Sequence, residues 1–454
     1  MATGCSEEAD TPADAGPAAT PETDAGTAPT TNTLADIASA DPQFSLLLAA
    51  AVKADLVGVL SGDEPVTVFA PTNDAFAASG LDAAAVEALT AEQARGILSY
   101  HAVPGTIAST DLSAGIVTTV AQLSLVVGTE GGVTLNGGNA VTGGANVVTA
   151  DVPADNGMVH VIDRVLLPPT VADLTRYAGL TELGAAVAAA GLADTLSGEG
   201  PFTVFAPTND AFPDDVTGLD VTQILTYHVL SGSVASSDVT AGPVTTLATQ
   251  SFGEGDGATS INLSALIDTS NGVRINDTAN VVIADVRATN GIVHVIDGVL
   301  LPLNVAQVAV VGGFTQLVAA VGASDPIPAQ IAGGDQAVPV LDALSTLSAL
   351  TVFAPSDDAF GAAFPDGLPA DGGAILGVLA GHVLAGAAPV LAAGIPADAT
   401  AQVPALVGNL TFDSSATPPT VSLVEGSTAN IVATDIGATN GVVHVIDAVL
   451  VSNP

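Results

Sequence analysis

A chain of 454 residues with 47 acidic and 6 basic side chains carries a formal charge of −41 at pH 7. That balance excludes nucleic-acid binding, which needs clustered lysine and arginine against phosphate, and it disfavours direct docking on anionic lipid. Hydrophobic residues make up 48% of the chain, yet no run approaches the roughly 18 apolar residues of a membrane helix. The single cysteine, Cys5, leaves no internal disulfide. An acidic excess of this size reads first as a device for solubility or salt tolerance. No Asp-x-Asp-x-Asp-Gly loop of the EF-hand kind accompanies it.

In chain order, Met1-Ala2-Thr3-Gly4-Cys5-Ser6 comes first. These residues resemble the end of a bacterial lipoprotein signal peptide without its charged and apolar regions. Cys5 is therefore a candidate lipid anchor. Apart from Ser6 and Asn32, residues 6–32 are Ala, Pro, Thr, Asp, Glu and Gly, and residues 1–32 read as a disordered acidic tether. Short helices follow from Leu34 to Leu60, with Pro42 restarting one of them and Gly62 ending the segment. Val66 to Phe69 is strand-like. Thr72 or Asn73 can cap a short helix carrying Phe76, and Thr90 can cap a helix over Ala91–Tyr100. From Thr106 the pattern changes to short strands: 117–120, 123–127, 133–135, 147–152 and 158–162. Asn156-Gly157 predicts a tight turn with positive backbone angles between the last two.

The same order recurs twice more. Thr67-Val68-Phe69-Ala70-Pro71-Thr72-Asn73-Asp74-Ala75-Phe76 has counterparts at 203–212 and 351–360. The Asn-Gly-x-Val-His-Val-Ile-Asp phrase starts at Asn156, Asn290 and Asn440, which are 134 and 150 residues apart. Such a period suits whole domains rather than solenoid units. The predicted domains are 33–169, 170–303 and 304–454, each α+β, with helices first and a strand meander after. The junctions Leu167-Pro168-Pro169-Thr170 and Leu301-Pro302-Leu303-Asn304 are short and proline-stiffened, which predicts limited bending. From the early phenylalanine to the later histidine is 32 residues in the first copy, 23 in the second and 29 in the third. The second copy has thus lost part of a helical segment, and the third carries extra sequence around 324–340.

The two phrases in this order, with Tyr100-His101 and Tyr227-His228 between them, resemble the two boxes of the fasciclin domain over about residues 33–452. The resemblance implies a wedge of β-sheets with a layer of short helices in each copy. It also implies an extracellular or cell-surface role in adhesion or matrix contact, without catalysis. The implied partners are a cell-surface or matrix protein or a polysaccharide. The membrane would be reached only through lipid on Cys5, and no cofactor or metal is implied. The Tyr-His region of that family is linked to receptor contact. The candidate ligand-binding residues here are accordingly Tyr100, His101, Tyr227, His228 and His382; Gly381 replaces the tyrosine in the third copy. Two other readings stay open: an acidic structural spacer of the cell envelope without a specific ligand, and a small-molecule or cation-binding module.

Against chemistry, no Gly-x-Ser-x-Gly, phosphate loop or dinucleotide fingerprint occurs. All six histidines fall at two repeated places: His101, His228, His382 and His160, His294, His444. None has a local metal-ligand partner. A histidine in an apolar strand, such as His160, is expected to bond backbone. Asp163, Asp297 and Asp447 are expected to hold neighbouring amides, and Asn73, Asn209 and Asp357 to act as caps or turn residues.

Overall fold

Strand alternation organises each domain, because successive side chains on a strand face opposite ways. In the first, Val66, Val68 and Ala70 face a helical layer with Leu34, Phe44, Leu47 and Phe76. Phe69, between them, faces a second core with Tyr100, Leu125, Leu135 and Ile162. The strand Val66–Pro71 is buried at every position and pairs in parallel with Gly157–Ile162. This places the two repeated phrases side by side at the centre of the sheet. The computed structural model describes residues 32–139, 142–177, 179–213, 220–327, 337–395, 402–404 and 408–451. Cys5 and almost all of the predicted tether lie outside them.

Among the described residues the first domain forms a seven-stranded sheet. In spatial order its strands are Ala102–Pro104, Val66–Pro71, Gly157–Ile162, Ala145–Ala154, Thr134–Leu135, Ser124–Gly128 and Gly115–Thr118. The third domain repeats that order. In the second, the longer strands Gly242–Phe252 and Thr259–Asp268 let Thr246 pair with Leu230 and close the sheet into a barrel. Each domain is therefore α+β, with helices Ala91–Tyr100, Val221–Tyr227 and Gly372–Ala380 leading into the histidine of the Tyr-His position. Pro42 does restart a helix, and Thr90 forms a capping box. In the second domain residues 214–219, and in the third domain residues 328–336 of the extra sequence around 324–340, lie outside the described residues, while Ile327 bridges Val338.

One expectation is corrected. The turn between the last two strands forms at Asp155 and Asn156, since Ala154 pairs with Gly157. Neither Asn156 nor Gly157 takes a positive φ. Gly157 is required for another reason: a Cβ there would sit 1.9 Å from the Val66 carbonyl oxygen of the neighbouring parallel strand. Gly291 and Gly441 stand in the same way against Phe202 and Leu350, each 2.2 Å from the carbonyl oxygen. Gly157→Ala should lower the thermal midpoint of the first domain, at a cost of about 1–3 kcal/mol for forcing the strands apart. An unchanged midpoint would show that the sheet accommodates the methyl.

Candidate functional site

The Tyr-His positions sit where the helical layer meets the sheet wedge. Each histidine ends its helix, where backbone carbonyls lack intrahelical partners. His101 Nδ1 donates to the Ile97 carbonyl at 2.8 Å, and its Nε2 accepts the Leu166 amide at 2.9 Å. His228 repeats this with Ile224 and Leu300, and His382 with Val378 and Leu450. An amide can only donate, so Nε2 must keep its lone pair and the proton resides on Nδ1. Burial pushes each of these imidazoles down to about 4, against the weaker upward pull of the bonded carbonyl. They are neutral rings that tie the helix end to the segment following the last strand.

The second histidine set uses the opposite tautomer. His160 Nε2 donates to the Ile107 carbonyl at 2.9 Å, while its Nδ1 accepts the Asp151 amide at 3.2 Å. His294 and His444 do the same with Val234 and Asp285, and with Val390 and Asp435. Each ring lies against the phenylalanine of the parallel strand, with centroids 5.6, 5.8 and 5.3 Å apart. Burial also lowers the His444 pKa, opposed by its bond to Val390 and by Asp435. All six imidazoles thus spend both nitrogens on backbone. Among the described residues no group of three or more His, Cys, Asp or Glu is placed to hold a metal.

Tyr100, His101, Tyr227, His228 and His382 are each 2% exposed or less. A partner approaching the folded surface touches none of them, so the expectation that they form a contact face is corrected by their burial. Tyr100 donates to the Ser124 carbonyl at 2.9 Å and accepts Asn136 Nδ2 at 2.9 Å. Tyr227 donates to the Ser264 carbonyl at 2.7 Å and accepts Asn276 Nδ2 at 3.0 Å. Burial pushes the Tyr227 phenol up to about 12 and raises that of Tyr100 further.

Asp163, Asp297 and Asp447 behave as expected. Each accepts both the amide and the side-chain Nδ2 of an asparagine, respectively Asn146, Asn280 and Asn430, at 2.6 to 2.9 Å. Asn73 serves a helix other than the one it begins. Thr72 caps the helix Asn73–Ala78, while Asn73 reaches back to accept the Leu46 amide at 3.0 Å. Asn209 and Asp357 likewise accept the amides of Glu182 and Gln316. Each supplies an N-terminal acceptor to a helix that has no side-chain cap of its own: Ser45–Lys53, Thr181–Ala189 and Thr315–Ala323.

Sequence reasoning missed Asn156, Asn290 and Asn440 as individual actors. Asn156 Oδ1 accepts the Leu34 amide at 2.9 Å, and its Nδ2 donates to the carbonyls of Leu60 and Gly62 at 2.9 and 2.8 Å. The other two repeat this clip with Val171, Leu196 and Gly198, and with Val305, Leu344 and Leu347. It also missed the left-handed Asp151, Asp285 and Asp435, with φ of 61°, 60° and 57°. Their carboxylates accept the amides of Ser109, Ser236 and Ala392. Threefold recurrence of these Asn and Asp positions was the available signal.

Three copies of a helix-capped sheet wedge with this internal histidine and asparagine bracing define a tandem array of one module. The Fasciclin domain family model matches residues 42–168, 178–302 and 332–452, and the chain belongs to that family. It is 43% identical over 141 residues to protein sll1483 of Synechocystis sp., covering 30% of this chain and 74% of that one. It is 28% identical over 446 residues to the transforming growth factor-beta-induced protein ig-h3 of Sus scrofa, covering 92% of this chain and 58% of that one. Human periostin is 30% identical over 218 residues, covering 46% of this chain and 25% of periostin. The chain thus spans only part of the length of these relatives.

Proposed function

We propose that this chain is a non-catalytic adhesion or matrix-contact protein of a bacterial cell surface, acting by multivalent binding to a surface or matrix protein or to a polysaccharide. The observation that carries the reading is the presence of three fasciclin domains in one chain. Weak sites linked at fixed spacing gain avidity of roughly 10²–10⁴ when all engage together. The internal use of every histidine supports a role without catalysis. Lipid on Cys5 would supply the link to the membrane, and the charge of −41 favours a neutral or basic ligand over an acidic one.

The test is attachment of the chain to whole cells and envelope polysaccharide across a salt series, beside a version lacking residues 304–454. Saturable attachment that drops by more than about tenfold on removing the third domain is expected. Equal attachment by the shortened chain would remove multivalency from the account. Attachment by neither would favour the second reading, an acidic spacer of the envelope, which the strong charge and braced domains suit equally well.

A further inference from the structure

The Tyr-Ser-Asn groups lie at the joints between domains, and the two joints are built alike. In the first, Ser124 Oγ accepts the backbone amide of Arg287 in the second domain at 2.9 Å. In the second, Ser264 Oγ accepts the amide of Gly437 in the third domain at 3.0 Å. Arg287 and Gly437 occupy the same register, each preceding the final alanine of its strand: Ala279–Ala288 and Thr428–Ala438. Both serines are 3% exposed, and each serine carbonyl is held by the buried tyrosine described above. Two residues on, Val126 packs into the core of the second domain and Leu266 into the core of the third. The second joint is sealed further by Phe252 and Ile261 against Ala349, Ala388 and Leu391. Gly437 lies so close to the preceding domain that a Cβ would be 1.9 Å from the Asn262 carbonyl oxygen.

The third domain departs from this pattern at all four positions. Gly381 replaces the tyrosine, Asn409 the serine, Thr411 the apolar knob and Ser422 the asparagine. On the receiving side, the first domain has Pro153 where the others have Arg287 and Gly437. Proline has no amide hydrogen to donate. The preceding residue follows the same division: Val286 and Ile436 are buried, whereas Val152 is only half-buried.

We propose that the Tyr-Ser-Asn group with its apolar knob is an interdomain docking face that recognises the amide-bearing strand of the next fasciclin domain. We infer also that the outer faces of domains one and three are closed to this joint, so a second copy of the chain does not add end to end through it. The Tyr-His position then serves the geometry of the array rather than an outside partner. This goes beyond the adhesion reading and does not depend on it.

Two changes in the full chain test the joints. Gly437→Ala should push the third domain off the second while leaving that domain's own core intact, because the three atoms nearest the new methyl, in Asn262 and Leu263, belong to the second domain. Small-angle X-ray scattering should show a larger radius of gyration and a blurred interdomain distance. Ser124→Ala should raise hydrogen exchange at the Arg287 amide by roughly threefold or more, with exchange along Gly291–Ile296 unchanged. Unchanged scattering for the first, or unchanged Arg287 exchange for the second, would overturn the docking face. Sedimentation of the unaltered chain in 1 M salt, where charge repulsion is screened, should show monomer. Head-to-tail multimers of the unaltered chain in that salt would overturn the closed ends.

Discussion

Asn156→Ala lowers the stability of the first domain by about 2–5 kcal/mol, one of the largest effects expected of any single side chain here. The side chain is 8% exposed and makes three hydrogen bonds at once. One partner, the Leu34 amide, belongs to a buried residue at the first turn of a helix, where no intrahelical acceptor exists. Leu60 and Gly62 are half-buried residues, so water reaching their carbonyls replaces part of what they lose and the cost stays below the sum of three orphaned groups. Loss of the clip frees the first helix from the end of the short helix Val57–Leu60, which uncouples the helical layer from the strand turn. Asn290→Ala and Asn440→Ala should do the same to the second and third domains. Because three domains need not unfold together, the measurement is hydrogen exchange or calorimetry resolved by domain rather than one global midpoint. A loss below about 1 kcal/mol in the affected domain would mean the turn holds without its clip.

Acidification should destabilise all three domains between pH 6.5 and about 4. His101, His228 and His382 fall from 6.5 in the unfolded chain to about 4 when folded, because burial disfavours the imidazolium. In that window the unfolded chain binds more protons than the folded one, so stability rises with pH. The contribution is complete above pH 6.5 and is lost as pH falls towards 4. Its upper size is on the order of 3 kcal/mol per domain. The net charge works the other way, since protonation of carboxylates relieves repulsion within a chain of charge −41. In 1 M salt that repulsion is largely screened and the buried imidazoles are not. Denaturant unfolding at pH 7.5, 6 and 5 in 1 M salt should therefore show a steady loss. Proton resonances of these three rings should stay untitrated down to about pH 5. Titration near 6.5 would contradict the neutral, doubly bonded rings.

Repetition, order of elements and several caps were legible in the chain because each depends on neighbours in sequence. Pro42 restarts a helix and Thr90 caps one whatever surrounds them, and alternating residues from Val66 must face opposite sides of a strand. Asp163, Asp297 and Asp447 could be read as amide acceptors from their place at the end of the last strand. Gly157 was read as a turn residue with a positive backbone angle, but it opens the last strand, and its demand comes from a parallel strand some 90 residues away in sequence. Asn73 showed the same limit: its helix-capping chemistry was plain, but the helix it serves begins 28 residues earlier.

The sequence by itself determined that this is a chain of three α+β modules, because a hydrophobic pattern and its turn residues act locally and recur in register, and its two repeated phrases carried the resemblance to the fasciclin domain. Only the tertiary structure decided where the Tyr-His positions go. Whether a tyrosine meets solvent, a partner or the carbonyl of Ser124 is a matter of packing between segments distant in sequence. Spacing along the chain carries no information about that. The same holds for the joints, where a serine of one domain and an amide of the next meet across 163 residues.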